Sequence, residues 1–412
     1  MRIVHLWKAA TPVKGGGGAV AMNRLHLELR KMGVDSSLVC SFNENKDKYI
    51  DTIGARLSFP ERKLKKFSDW IGLNDVYLLN ARKIKKQPNY RLADIVTIHG
   101  THGYINYLSL PSLTKNKLPV FVLHDIWPLT GHCAVSHDCD RWKTGCKPCM
   151  YLDLPPAISR DSAYIEYQLK QWVYSKTRPT FVSPSTTLTN QAKESIIKDY
   201  NIVTIPHGVN TDIYYPRGKE EARRVLHIEE DRIVLMMASI RLDQHHKGGD
   251  TVHEVLAKLP ESIKKKLLLV TIGGTGGTYQ SAEGIKVVDF GFVHSDTLKA
   301  VIYSAADIFL FPSRGESFGL VALESLACGT PVVAFDVGGM VDMLFPGKSG
   351  YIAKPGDTND FINGVLERLE DRELLAKESI NCPMIVKEKF TLERQAKNYI
   401  NLYESLFLKM KK

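Results

Sequence analysis

The 412-residue sequence has no hydrophobic run long enough to cross a membrane. Its longest apolar stretches, IVLMMASI at 233–240 and LLLVTIGG at 267–274, are strand-sized, far below the ~18 residues of a spanning helix. The start, MRIVHLW, lacks a basic leader followed by an apolar segment and small residues, so it reads as a first strand and not as a secretion signal. Cysteine is scarce and odd in number, at seven, which argues against a disulfide-stapled secreted chain and predicts a reducing cytoplasm. There is no internal repeat, no low-complexity tract and no recognisable nucleic-acid-binding motif, so nucleic acid is not an expected partner.

What is present describes a globular protein with more than one core. Hydrophobic residues make up 44%, charged residues 24% and aromatics 9%, with a mean hydropathy of −0.17. Two domains are expected, since a domain holds ~100–200 residues. The 55 basic and 45 acidic side chains leave a formal charge of +10, and it is unevenly placed. Residues 1–206 carry 29 basic against 17 acidic groups, whereas 207–412 carry 26 against 28. One basic stretch is also amphipathic: Leu64, Phe67, Trp70 and Ile71 alternate with Arg62, Lys63, Lys65 and Lys66. Such a pattern suits peripheral contact with an anionic membrane and equally suits a solvated surface helix.

Short apolar strands alternate with amphipathic helices along the chain, the pattern of parallel α/β sheets. Strands are expected at 3–7, 36–42, 94–99, 119–124, 180–185 and 202–206, then again at 232–239, 267–273, 287–291, 307–312 and 331–336. The turn-rich PHGVNTDIYYP at 206–216 is the expected joint. The organisation predicted is therefore α/β with two Rossmann-like doubly wound domains facing a cleft: 1–207 with a Cys-rich insertion at 130–150, 208–390, and a helix at 391–412 able to pack back on the first domain.

The most informative segment is PSRGESFGLVALESLACGTPVVAF at 312–335. A strand ends in a turn bearing Glu316, and a helix begins near Gly319, whose first amides, with Leu320 and Val321, favour an anion. Glu324 lies ~8 Å further up the helix axis. A diphosphate at the amides with a carboxylate on either side would suit this geometry; an exposed loop glutamate beside an ordinary amphipathic helix would also satisfy it.

The two glutamates separated by seven residues in ESFGLVALESLACGTPVV resemble the nucleotide-sugar signature of family 4 retaining glycosyltransferases with the GT-B fold. SIRLDQHHKGG at 239–249 resembles that family's phosphate clamp, and GGGGAVAMNRLHLELRKMGVDSSLV at 15–39 resembles its first loop and helix. The resemblance implies that Arg241 and Lys247 neutralise the leaving diphosphate without a catalytic metal. It implies that Glu316 faces the donor sugar, that Glu324 accepts from the ribose, and that Gly319, Leu320 and Val321 offer backbone donors. In the first domain it implies that Gly16 and Gly17 let backbone approach the phosphates and that His124 sits near the transferred sugar. The donor would be a UDP- or GDP-sugar and the acceptor a lipid-linked sugar or oligosaccharide. Where the family linker usually reads Pro-Asn-Gly-Val-Asp, this chain has His207 and Asn210. The alternatives are a GT-B sugar-nucleotide epimerase and a non-catalytic subunit of a polysaccharide assembly complex.

A second cluster, Cys133, Cys139, Cys146 and Cys149, gathers four of the seven cysteines, with His132 and His137 nearby. The Cys146–Cys149 spacing suits a structural zinc; reduced thiols in a packed loop, or disulfides, which a cytosolic compartment disfavours, are the other readings. This insertion resembles one in the colanic acid and capsular polysaccharide subgroup, which implies surface polysaccharide biosynthesis. Three motifs lead nowhere. Gly16–Ala21 begins too far after its strand for a dinucleotide fingerprint, Gly347-Lys348-Ser349 lacks the glycine of a phosphate loop, and Asp138-Cys139-Asp140 lies inside the cysteine cluster. His99 and His102 are expected to be solvated or core histidines.

Overall fold

The computed structural model describes residues 1–10, 12–43, 47–238, 247–273 and 284–411. The chain divides into two compact units, one formed by Met1–Pro206 with Leu392–Lys412 and the other by His207–Thr391.

The first unit is built on a seven-stranded parallel sheet of β1 (Arg2–Leu6), β2 (Asp35–Cys40), β3 (Ile50–Thr52), β4 (Ile95–Ile98), β5 (Leu118–Val122), β6 (Thr180–Ser183) and β7 (Ile202–Thr204), in the order β3-β2-β1-β4-β5-β6-β7. Parallel strands need crossover helices on both faces, so the central strands are apolar on both sides. Val4, Leu6, Val96, Ile98 and Phe121 pack on one face, while Ile3, Ile95, Val120 and Val122 pack on the other. The second face is covered partly by the helix Leu392–Lys411, whose Ala396, Tyr399 and Tyr403 are buried there. The Tyr403 hydroxyl lies 2.9 Å from the Thr97 hydroxyl on β4, a bond joining positions 306 residues apart.

The second unit repeats the plan with six parallel strands: β8 (Ile233–Ala238), β9 (Leu267–Ile272), β10 (Lys286–Asp289), β11 (Ile308–Phe311), β12 (Val332–Phe335) and β13 (Gly350–Ala353), ordered β10-β9-β8-β11-β12-β13. In each sheet the strand order reverses direction once, between β1 and β4 and between β8 and β11. Loops diverge at such a point and leave a crevice at the carboxyl ends of the strands. The edge strands β3 and β13 escape the sequence pattern because Ile-Asp-Thr and Gly-Tyr-Ile-Ala lack the continuous apolar run of the central strands. The basic amphipathic stretch forms the helix Phe59–Ile71.

One internal ion pair ties down the back of the second unit. Arg368 and Glu378 are both buried and meet through two bonds of 2.9 and 2.7 Å, and Arg368 also donates to the Gly350 carbonyl. Its fork satisfies the carboxylate that burial otherwise pushes towards the protonated form.

Candidate active site

At the reversal point of the second sheet, the segment after β8 meets the loop after β11. Gly248 makes the approach possible. Its φ is 71°, and a Cβ there would lie 2.1 Å from the Pro312 carbonyl oxygen. This crossing sets Lys247 beside Glu316, with Nζ 3.2 Å from Oε2, both side chains half-buried. The other Glu316 oxygen accepts the Ser317 N–H at 3.2 Å. The same loop is braced by Arg314, which grips Asp250 through two bonds of 3.0 and 2.8 Å. Arg241 lies outside the described residues.

Gly319 is the cap of the following helix, not part of its first turn as expected. With φ at 97° it turns the chain into the helix Leu320–Ala327, and a Cβ there would sit 2.4 Å from the Met340 methyl. Leu320 and Val321 therefore supply the first helical amides. Glu324 is buried, and its Oε2 accepts the Tyr303 hydroxyl at 3.2 Å. The unusual linker keeps its turn: Asn210 Oδ1 accepts the Asp212 N–H at 2.9 Å, and His207 packs edge-on against Phe318.

The first unit has its own cavity, about 260 Å³ in volume, at the carboxyl ends of β1, β4 and β5. Trp7, His99, His102, His124, Asp125 and Trp127 line it. His124, the histidine singled out by resemblance, is therefore in a pocket wall. Gly16 has a φ of 63° and interrupts the helix Pro12–Lys31, but a Cβ at Gly16 or Gly17 would meet nothing within 4 Å. It is Gly18 that packs, since a Cβ there would stand 3.0 Å from the Trp7 ring and 3.3 Å from His124.

Sequence reasoning missed what holds the far wall. Lys170 is fully buried and its ammonium donates to the carbonyls of Trp127, Thr130 and Gly131 at 2.8, 3.0 and 2.9 Å, lying 3.5 Å from the Trp127 ring centre. All three of its protons are thus used to fold the loop that carries Trp127. Burial lowers its pKa and raises that of Glu166, the neighbouring buried acid. The signal was available: Tyr167, Lys170, Val173 and Tyr174 recur at helical spacing, so the lysine sits on an apolar stripe.

The four clustered cysteines are unbridged. The Cys146 sulfur accepts the Gly131 N–H at 3.1 Å, and the Cys149 sulfur lies 3.2 Å from His132 Nε2. The thiols lie near enough to raise one another's pKa, with burial the larger cause, and Cys146 is pushed up to about 12. Among the described residues, however, no three His, Cys, Asp or Glu side chains form a ready metal-holding set.

Residues 218–381 match the model of the family described as glycosyl transferases group 1. The match lies within the second unit. A D-inositol 3-phosphate glycosyltransferase from Geodermatophilus obscurus is 35% identical over 189 residues, 42% of this chain and 41% of the relative. The chain thus matches less than half the length of that relative. Among solved structures, a sucrose-phosphate synthase from Thermosynechococcus elongatus superposes with a TM-score of 0.71 at 18% identity, covering 99% of this chain and 100% of the other. HepE of Anabaena, solved with UDP-glucose, gives 0.68 at 15% identity, covering 98% and 100%. These likenesses show the fold: two Rossmann-like units of the GT-B type.

The first unit buries several neutral histidines. Burial holds His5 down to about 3, and His26 and His124 down to about 4, from 6.5. The folded protein binds these protons only below those values, whereas the unfolded chain binds them below 6.5. Their contribution to stability is complete above pH 6.5 and is lost as pH falls from 6.5 towards 4, by at most about 1.4 kcal/mol per pH unit for each ring. Urea unfolding should show this decline, with a slope shallower by about one proton in His5→Leu. An unaltered slope in that variant would contradict the assignment.

Proposed function

We propose that the protein is a retaining glycosyltransferase, moving a sugar from a nucleotide-sugar donor to a hydroxyl of an acceptor glycan. The observation that carries this reading is the Lys247–Glu316 pair at the carboxyl edge of the second sheet, where its strand order reverses. A cation there meets the donor diphosphate, and the carboxylate beside it is released to accept sugar hydroxyls. Arg241 supplies the second positive charge. The Leu320 and Val321 amides, at the start of the helix, add donors to the phosphate, Gly319 shapes the turn, and Glu324 takes the ribose. Gly16 and Gly17 give the first unit a bare backbone near the donor, and His124 acts on the transferred sugar. A UDP-sugar is favoured because HepE, of similar fold, was solved with UDP-glucose.

In the reaction the bond between the anomeric carbon and the phosphate oxygen breaks, and the acceptor oxygen bonds to that carbon on the same face. The acceptor's proton passes to the departing phosphate. Lys247 and Arg241 stabilise the charge that grows on that phosphate, which is where preorganised cations lower a barrier most. A panel of UDP- and GDP-sugars, read by thermal shift and then by turnover with acceptor, tests the reading. Lys247→Ala should cut turnover by about tenfold or more. Unchanged turnover would remove the clamp, and conversion of the donor sugar with no acceptor present would make the protein an epimerase instead.

The pathway favoured is surface polysaccharide assembly on a lipid-linked acceptor at the cytoplasmic face of the membrane. No helix among the described residues is long and apolar enough to cross a bilayer. The helix Phe59–Ile71 instead exposes Phe59, Phe67 and Trp70 by 62, 58 and 56% beside Lys63 and Lys66, a surface suited to anionic headgroups. The protein should co-sediment with vesicles containing phosphatidylglycerol, and Phe67→Glu with Trp70→Glu should abolish this; equal sedimentation of the double variant would refute the surface.

The Cys133, Cys139, Cys146 and Cys149 loop is proposed to close on a structural zinc, the Cys146 sulfur accepting the Gly131 N–H. Protein purified without chelators should then carry about one equivalent of zinc, and less than about half an equivalent would refute the site.

A further inference from the structure

Three imidazoles form an unbroken hydrogen-bonded row behind the cavity of the first unit. His5 Nδ1 lies 2.9 Å from His99 Nε2, and His99 Nδ1 lies 3.0 Å from His124 Nε2. The sheet dictates the row. His5 is on β1, His99 directly follows β4 and His124 follows β5, and these strands are neighbours in the order β1-β4-β5. Parallel strands stand ~4.8 Å apart, and the ring centres repeat at nearly that interval, 5.1 and 5.3 Å. The Leu6 carbonyl also accepts the His99 N–H at 3.0 Å, fixing the middle member to the strand that bears His5.

The row is wet at one end and dry at the other. His124 reaches the cavity, where Lys8, His102 and Asp125 also stand, and where Trp7 and Gly18 press on its ring. His5 is wholly buried; its Nε2 has no hydrogen-bond partner among the described residues, and His26, its edge-on neighbour, is buried too. A neutral imidazole has one N–H and one lone pair. In a row of neutral rings every N–H must point the same way, so the proton position on one ring dictates that on the next. At the dry end an unpaired N–H is the costlier orphan, so His5 Nε2 carries the lone pair, its Nδ1–H donates to His99, and the polarity of the row follows.

We propose that His99, backed by His5, is a positioning residue that holds His124 in one orientation and one tautomer towards an oxygen of the sugar substrate. The proposal rests on the transferase reading for the identity of that ligand, but the row itself is independent of it. His124 then serves as an oriented hydrogen-bonding group and not as a proton carrier, since the row ends in a dry interior and offers no exit for a proton.

The test uses full-length protein carrying 15N-histidine, with the His124 signals assigned by their loss in His124→Asn. Wild type should show a single tautomer for His124 at neutral pH, and His99→Phe should show the averaged nitrogen shifts of two interchanging tautomers. With the donor found in the panel, His99→Phe should lower kcat by about tenfold or more while leaving the donor KM little changed. His99→Gln, whose amide both donates and accepts, should recover part of that loss. His5→Phe leaves the bond between His99 and His124 but removes the partner behind it, and should also blur the tautomer, which keeps the test open if His99→Phe does not fold. Averaged His124 shifts in wild type, or a sharp single tautomer retained in both Phe variants, would overturn the proposal. Failure of every donor to turn over would count against the transferase reading while the nitrogen shifts still decided the row.

Discussion

Parallel strands deliver all their carboxyl ends to the same edge of a sheet, and in both units that constraint governs where chemistry can be placed. Residues far apart in sequence, such as Trp7, His99 and His124, become neighbours only because β1, β4 and β5 end together. The same rule, applied after β8 and β11, brings Lys247 to Glu316. The side chains of the edge are then held by close approaches: Gly248 passes over the Pro312 carbonyl where no Cβ fits, and Gly18 packs against the Trp7 ring. The site is thus a property of strand direction first and of individual side chains second.

Two long buried cations are satisfied largely by backbone carbonyls. Lys170 is the clearest instance, its ammonium spent on three carbonyls of one loop. Arg368 does similar work in the second unit, joining two carboxylates and two carbonyls. Buried charge of this kind contributes little net stability but is costly to break, so it fixes one loop conformation against its competitors.

The alternation of apolar runs made both sheets legible, because a central parallel strand is apolar on both faces and its residues have no other use. The glutamate pair and the lysine before two glycines were singled out by resemblance to a family's motifs, and the structure brings Lys247 to Glu316. Other features were not. Gly16 and Gly17 attracted attention by their run, but packing selected Gly18, and only three-dimensional proximity to Trp7 tells them apart. His99 read as an ordinary strand-end histidine, since nothing local reveals that rings from two neighbouring strands flank it. Lys170 was hidden by the habit of treating lysine as solvent-facing, although its helical stripe was apolar.

The last helix belongs to the first unit, and the chain therefore leaves that unit after Pro206 and rejoins it at Leu392. Entry and exit of the second unit are bonded to each other: the Val209 N–H donates to the Phe390 carbonyl at 2.9 Å, and Val209 forms a bridge with Thr391. In topology the second unit is an insertion whose two ends meet. Residues 207–391 could accordingly be excised as one continuous piece and the gap in the remainder spliced with a short connector, whereas trimming the final helix would strip Tyr399 and Tyr403 from the core of the unit farthest from it in sequence.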